Sequence, residues 1–568
     1  MSNNLRYMLH KKISQALQND KSSVKSSTVS AQLKLNIMKF SRHFHFTLPL
    51  KTNQYDICEI APKLMEKGSD DFLEKVEISE KSNALFFYVE RDRLVRGLFN
   101  DMKKDIKPPN LLDEKLNNVI VEFSSPNIAK PFHVGHLRST VIGNYISNLN
   151  QFFKHNVKRI NYLGDWGTQF GFVQLGLSLA KVTEDDLKSN PIKTLYNAYV
   201  QANKLAEEDH TVAEKAKDIF NKLEKGDRSN AGEWESFRKY TLEELEKTYD
   251  RIGIKFDEYE WESMYRIDKI TTVISELYKH SLLKTDSEGR QVVNTNNRTI
   301  PIIKSDGSSL YITRDIAAAI NRFEKHQFDA MYYVVDNAQI DHFRNLINIL
   351  KAMKYPWADR LLHVKFGKIK GMSTRKGTAI FLQDILDEMH DVMREKQLKN
   401  PHTKATLDSN DPSTEILGLS AMIINDLRHK RNQDYDFSWD KALDSEIHSG
   451  VKLQYTHCRL NSLELYSTAT IADECRPELL KEAVADNLML RLLKYDEALI
   501  ESYLQLEPCI LVNYLFDLVY HINLCFKDLK IKDQPADLAN QRLLLTHTAR
   551  KVLGHGMTLL GITPLDKM

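Results

Sequence analysis

The sequence predicts a parallel α/β domain with a helical insertion, a small α/β domain before it and an all-α domain after it. Three observations carry that reading. Strand-like runs at Val119–Phe123, Lys158–Tyr162, Met331–Val335 and Leu362–Phe366 alternate with segments of helical period, the pattern of parallel strands joined by crossover helices. The interval 174–290 between the second and third runs is long, charged and helix-periodic, which marks an insertion. From about residue 412 the strand signals stop and only helical patterns follow.

At the N-terminus, Leu5, Met8, Leu9 and Ile13 share one helical face beside Lys11 and Lys12. Residues 1–50 hold eight Lys/Arg and one acid, Asp20, a balance of +7 in a chain whose total is +2. A basic, Ser-rich, acid-poor segment of this kind, 1–35, reads either as a mitochondrial presequence or as the solvated first helix of the next domain. Residues 36–107 mix strands, at Phe44–Leu50 and Ala84–Val89, with helices, and Pro108-Pro109 punctuates their end. The parallel domain is expected over 108–411, closing at Pro401 and Asp411-Pro412. Helices are expected throughout 412–568, for example Glu478–Ala498 and Ala539–Leu560.

Composition bounds the function. At 568 residues the chain exceeds one domain, and 42% hydrophobic with 27% charged residues suits globular cores. Gly (21) and Pro (15) are too scarce for a low-complexity or collagen-like chain. The five cysteines form no CxxC pair, which argues against a zinc ribbon and, in a chain of this size, a disulfide framework. The longest apolar stretch, around Cys509–Phe526, is interrupted by Asn513, Asp517, His521 and Asn523, so no membrane span is expected. Residues 441–568 carry 14 basic and 17 acidic residues, so any RNA contact there must use a local patch or aromatic stacking. Neither a Walker phosphate loop, an HExxH motif nor a dinucleotide fingerprint occurs.

The densest chemical signal runs from Val119 to His136. A β-branched strand enters a loop with Pro126 and Pro131, then a helix follows with Leu137, Val141, Ile142, Tyr145, Ile146 and Leu149 at helical spacing. Free backbone N–H groups at such a helix start attract phosphate. His133 and His136 flank Gly135, where a ligand can approach the backbone closely. Imidazole N–H groups there can stabilise charge growing on phosphate oxygens; the same histidines would also serve as plain helix caps. Later, Gly371-Met372-Ser373-Thr374-Arg375-Lys376-Gly377 forms a Gly-bounded basic loop after the strand at Leu362–Phe366. It suits closure over a polyphosphate, or is a solvated turn.

An HxGH unit early and a Met-Ser-containing basic loop late resemble the class I aminoacyl-tRNA synthetases, and more finely the arginyl-tRNA synthetases. The resembling segments are Glu122–Asn144, Asn161–Gly167, Ser305–Ala317, Gln339–Phe343 and Gly371–Gly377, with the C-terminal helix also similar. Residues 110–568 resemble the family strongly; 35–105 resemble its appended N-terminal domain weakly.

The resemblance implies a Rossmann-like catalytic domain and an anticodon-binding C-terminal domain. It implies that arginine attacks the α-phosphate of ATP and that the arginyl group then passes to the 3′ end of tRNA(Arg). Further implications are Mg²⁺ with the ATP, no zinc, no membrane, a monomer that activates arginine only with tRNA bound, and the mitochondrial matrix (alternatively the cytoplasm). By position, His133, Gly135, His136, Gly371, Met372 and Ser373 would bind ATP, and Lys130, Arg375 and Lys376 would join the signature residues in catalysis. Glu122, Tyr311 and Asp315 would surround the guanidinium, and Asn127 and Gln339 would hold the α-amino group. Gln454, Tyr455 and Arg459 would contact tRNA.

One departure stands out. The usual class I loop reads Lys-Met-Ser-Lys-Ser; here Gly371 and Thr374 replace the lysines. Many arginyl enzymes share that lack and carry a lysine just before HxGH, which Lys130 matches. Without the family, Lys130 reads as a surface lysine, Glu122 as a strand-end acid, Asp315 as a helix cap, and Tyr455, Trp166 and Trp261 as packing residues. The competing functions are another HxGH nucleotidyltransferase, a different class I synthetase such as the cysteinyl one, and a tRNA-binding paralogue without catalysis.

Overall fold

β5 (Asn118–Glu122) is Val-Ile-Val at its centre and buried, as a strand covered on both faces must be. It lies in the middle of a five-stranded sheet of order β12-β11-β5-β6-β7, parallel throughout. The partners are β6 (Asn156–Leu163), β7 (Glu258–Trp261), β11 (Ala330–Tyr333) and β12 (Leu361–His363). Strand order reverses between β5 and β11, so a crevice opens at their carboxyl ends, where open α/β sheets bind ligands. The computed structural model describes residues 3–568 apart from 20–31, 39–41, 53–55, 57, 59–60, 66–72, 104, 110–116, 129, 131, 225–230, 296–297, 306, 372–380, 401–410 and 445–447.

In chain order the helices are α1 (Asn3–Asn19), α2 (Ala61–Met65), α3 (Arg91–Lys103), α4 (Val134–Phe152), α5 (Thr168–Leu179), α6 (Glu184–Ser189), α7 (Pro191–Glu208), α8 (His210–Glu224), α9 (Ala231–Arg251), α10 (Ile267–Lys279), α11 (Tyr311–His326), α12 (Ile340–Ala352), α13 (Leu382–Lys399), α14 (Ser413–Leu427), α15 (Trp439–Ala442), α16 (Gly450–Tyr466), α17 (Ala483–Leu493), α18 (Tyr495–Gln505), α19 (Pro508–Asp528) and α20 (Ala536–Leu559). Helices α5–α10 fall within or overlap the interval 174–290.

The structure departs from the sequence reading in four places. β7 is a sheet strand inside the interval read as helical. Beyond it, β8 (Leu283–Thr285), β9 (Gln291–Thr295) and β10 (Arg298–Ile303) form a separate antiparallel sheet, turning at Gly289 with φ +75°. A short strand β14 (Tyr435–Asp436) lies within the region read as all-helical and pairs with β13 (Ile369–Lys370). The helix expected over Glu478–Ala498 divides into α17 and α18 at Lys494.

The N-terminal sheet has the order β1-β2-β4-β3, all antiparallel, built from β1 (Lys34–Ile37), β2 (Phe44–Pro49), β3 (Leu73–Ser79) and β4 (Ala84–Val89). α1 is docked in the fold: Leu9 and Ile13 are fully buried, and buried Arg6 pairs with Glu497 of α18 and donates to the Leu33 carbonyl at 2.6 Å. Arg42 and Arg91 converge on buried Asp486 of α17, Arg91 at 2.7 Å. Part of the basic excess read as a targeting signal is thus spent on joining the two terminal regions.

α4 lies at the centre of the assembly. A Cβ on Gly143 would fall 2.2 Å from the Phe123 ring, so only glycine lets the helix sit this close to the end of β5. On its other side Tyr145 meets Ser502 at 2.5 Å and Asn148 donates to the Leu559 carbonyl at 3.1 Å. α19 is apolar and long enough to cross a membrane by length and composition, but Leu511, Val512, Leu515, Leu518 and Ile522 are fully buried in the helical core.

Candidate active site

The chain leaves β5 through a strained turn. Ser124 and Ser125 have φ of +70° and +46°, a region that costs non-glycine residues free energy and that folds retain at functional sites. A buried network holds it. Ser139 accepts from the Ser124 N–H at 2.9 Å, Asn161 accepts from the Ser125 N–H at 3.0 Å, and the Ser124 hydroxyl meets Tyr249 at 2.7 Å. This turn delivers Asn127, Lys130 and the histidines to the switch-point crevice. Asn127 pairs with Gly164 in a parallel bridge, which ties the loop to the end of β6.

Both signature histidines cap α4. His133 Nδ1 accepts from the Gly135 N–H at 3.0 Å, and His136 Nδ1 accepts from the His133 N–H at 3.2 Å. Their rings stack with centroids 4.2 Å apart. Capping and phosphate binding are therefore compatible. With each Nδ1 engaged as an acceptor, the imidazole proton resides on Nε2, which stays a donor for a ligand. Burial is the first cause lowering both imidazole pKa values; the charge of Lys130 follows for His133, while for His136, lowered to about 3, His133 comes next and Lys130 last. Neutral rings that donate through Nε2 result. A Cβ on Gly135 would lie 2.9 Å from the His133 ring and disturb this cap.

Of the basic loop, Gly371 is described, with φ +70°; Met372, Ser373, Arg375 and Lys376 lie outside the described residues. Its flanks are placed. β13 enters beside β14, and beyond the loop the Leu382 N–H donates to the Phe132 carbonyl at 2.6 Å, next to His133. Arg138 of α4 binds the carbonyls of Gly367 at 2.7 Å and Gln433 at 2.9 Å, fixing the entry flank to the signature helix.

Beyond the ends of the sheet strands lies an acidic cluster, in which Asp315 sits close enough to Glu122 and Glu262 to raise the pKa of both. Tyr311 and Asp315 share one face of α11, and Asp315 meets His342 Nε2 at 2.6 Å. Burial opposes protonation of His342, but the bond to Asp315 raises its pKa above the usual value. Tyr311 is half exposed, with its hydroxyl beside Gly167, and Gln339 is exposed at the start of α12.

Glu122 is buried at 4% exposure and already engaged: Arg322 of α11 pairs with it and with Glu260 of β7. An internal guanidinium thus occupies one of the Glu122 oxygens.

Sequence reasoning missed Glu260, Arg322 and Glu262. Glu262 Oε2 is buried with no hydrogen-bond partner among the described residues. Burial, then the like charge of Asp315, pushes its pKa up to about 8. A carboxyl in that state is short of a cation. The only sequence signal was the alternation Glu258-Tyr259-Glu260-Trp261 inside a helix-periodic interval.

In the C-terminal region Tyr455 is 48% exposed and Arg459 lies over the Phe526 ring at 4.0 Å. Gln454 is fully buried. Its amide donates to the Thr563 carbonyl at 2.8 Å and Ser420 at 2.9 Å, and its oxygen accepts from the Leu565 N–H at 2.8 Å. The expected tRNA contact at Gln454 is therefore corrected: all its polar atoms are used in holding the C-terminal segment. Trp166 and Trp261 are packing residues, both buried. Among the described residues no group of three or more His, Cys, Asp or Glu could hold a metal ion.

Residues 100–439 match the family model described as tRNA synthetases class I (R), catalytic domain, and residues 453–568 match the DALR anticodon binding domain. The crevice and the helical domain packed behind α4 are those of a class I aminoacyl-tRNA synthetase. A Mus musculus protein named "Probable arginine--tRNA ligase, mitochondrial" is 41% identical over 526 residues, covering 91% of this chain and 90% of its own. The Saccharomyces cerevisiae "Arginine--tRNA ligase, cytoplasmic" is 38% identical, covering 88% of this chain and 84% of its own. The solved arginyl-tRNA synthetase of Plasmodium falciparum superposes with TM-score 0.78 at 26% identity, covering 98% of this chain and 99% of that one. The chain belongs to the arginyl-tRNA synthetase family, and it is an ATP-dependent arginine–tRNA ligase.

Proposed function

We propose the following division of labour for the two-step reaction. ATP, as its Mg²⁺ complex, is held by the α4 N-terminus, with His133 and His136 donating through Nε2 to the phosphate oxygens. Lys130 supplies the cation missing at Thr374, and Arg375 and Lys376 meet the pyrophosphate. Asp315, Glu262 and one oxygen of Glu122 take the arginine guanidinium, with Tyr311 beside it; Asn127 and Gln339 take the α-amino group. The arginine carboxylate attacks the α-phosphate in line and pyrophosphate leaves. The terminal 2′-hydroxyl of tRNA then takes the arginyl group. No covalent enzyme intermediate is required, so catalysis rests on positioning and charge stabilisation.

The observation that carries this reading is the presence, in one catalytic domain, of Nε2-donating imidazoles and of a buried carboxyl oxygen, Glu262 Oε2, with no hydrogen-bond partner among the described residues. The matrix is the compartment we assign: the mitochondrial names of mammalian relatives at 40–41% identity support it.

Single-turnover measurement of the two half-reactions tests the roles. Lys130→Ala should slow adenylate formation roughly 10²–10³-fold with little change in the ATP KM, the scale for removing one charge-stabilising donor. Transfer from preformed arginyl-adenylate should be unaffected. Equal slowing of both steps would make Lys130 a general phosphate or tRNA contact. Pyrophosphate exchange that proceeds without tRNA would remove the tRNA requirement.

A further inference from the structure

We propose that Arg322 is a positioning residue for amino-acid recognition: its buried guanidinium fixes Glu122 and leaves that carboxylate a single oxygen for the substrate. The proposal rests on the reading above that Glu122 contacts arginine.

The geometry comes from one helix face. Arg322 follows Asp315 by seven residues and Tyr311 by eleven, spacings that return to the same side of α11. Tyr311 and Asp315 therefore face the crevice mouth, and Arg322 reaches the pocket floor beneath them. Arg322 is 1% exposed and lies over the Tyr162 ring at 4.9 Å. Its Nη1 pairs with Glu122 Oε2, while its Nε donates to Glu260 Oε2 at 2.8 Å and its Nη2 lies 2.7 Å from the same oxygen. Glu260 sits on β7, two strands away from β5. It holds Arg322 from the far side, so the guanidinium spans the sheet edge like a brace.

Among the described residues, Glu122 Oε1 is left with only a long 3.5 Å contact from the Ser125 hydroxyl, in the strained turn. One oxygen is thus immobilised and the other is available. A planar guanidinium can contact two carboxylates in fixed directions; a lysine at the same place presents one point charge and cannot brace both. The arrangement also accounts for charge. Glu122 and Glu260 flank Arg322, Asp315 lies close enough to Glu122 and Glu262 to raise the pKa of both, Arg314 is beside Glu262, and His342 is on Asp315.

The test uses the full chain with tRNA and arginine-dependent pyrophosphate exchange. Arg322→Lys should raise the arginine KM about 10–100-fold, the range for misaligning one charged hydrogen bond, and leave the ATP KM near wild type. Glu122→Gln should raise the arginine KM as well. The double variant should be no worse than the more impaired single, because both changes act on one contact. Arg322→Lys with a lowered melting temperature but a wild-type arginine KM would make Arg322 a purely structural ion-pair partner and overturn the proposal, as would effects that multiply in the double variant. A wild-type arginine KM in Glu122→Gln would instead overturn the underlying reading of the pocket, and the proposal with it. Should Arg322→Lys fail to fold, the isosteric Glu260→Gln loosens the same brace from the other end. It should raise the arginine KM roughly 3–10-fold, and an unchanged value there would equally overturn the proposal.

Discussion

The acidic pocket and the exposed face of α16 both draw the eye as runs of polar residues, yet the fold treats them oppositely. In the pocket, burial leaves an oxygen of Glu262 and the hydroxyl of Tyr162 without hydrogen-bond partners among the described residues. On α16, Gln454 is equally buried and all its polar atoms are used. The difference teaches that residue type alone does not distinguish a ligand-binding position from a structural one. A buried polar group without a partner costs stability, and a fold keeps that cost where a ligand will repay it.

Substitutions can break this contrast, and the pocket should respond most. Glu262→Gln should raise the arginine KM on the order of 100-fold, because a buried guanidinium would lose a counter-charge. Asp315→Asn should cost less, since that carboxylate is a quarter exposed and shared with His342. A wild-type arginine KM in Glu262→Gln, measured by aminoacylation, would return the pocket to the status of a structural acid cluster.

The pH dependence should come next in size. Glu262 holds its proton up to about pH 8 in the free enzyme, and burial also raises Glu122. An arriving guanidinium favours the ionised carboxyl, so binding expels a proton at pH 7. Arginine affinity should therefore strengthen from pH 6.5 toward 8.5, by up to about tenfold per unit for each such carboxyl, then level off. Calorimetry in buffers of different ionisation heat reads the released proton directly. Proton release that persists undiminished in Glu262→Gln would assign it elsewhere.

The smallest effects should lie on α16, and they sharpen the contrast. Tyr455→Ala should raise the tRNA KM by about 5–50-fold if a base stacks there. Gln454→Leu should leave the tRNA KM unchanged and instead lower stability by about 1–3 kcal/mol in denaturant titration, since the Leu565 N–H and the Thr563 carbonyl would be left unsatisfied. The opposite pattern would restore Gln454 as an RNA contact.

Much of the catalytic half could be anticipated from short-range signals. The β5–loop–α4 unit is contiguous, so strand, prolines, HxGH and helical spacing all fall within one readable window. Tyr311 and Asp315 came from the family resemblance, and their spacing of four residues put them on one helix face. What stayed hidden depends on chain segments that meet only in the fold. β7 is four residues long and supplies Glu260 two strands away from Glu122; only the short alternation Glu258-Tyr259-Glu260-Trp261 sets it apart from its helical neighbours. Arg322 resembles any surface arginine until α11 is laid against the sheet. The left-handed serines at 124 and 125 carry no turn signature, because their conformation is imposed by Ser139, Asn161 and Tyr249. Gln454 was misread because family position says nothing about burial.

The placement of α4 has a consequence for how the molecule fails. The helix whose first turn orients the signature imidazoles is also bonded to Ser502 and Leu559, 357 and 411 residues further along the chain from their partners. Loss of that helical layer strips one wall from α4, and loss of α4 removes the floor of the helical layer. The two regions should therefore melt together, and calorimetry should show a single endotherm rather than two. Heat inactivation of adenylate formation should follow the same curve as loss of RNA binding, so no temperature window leaves a catalytic half that works alone.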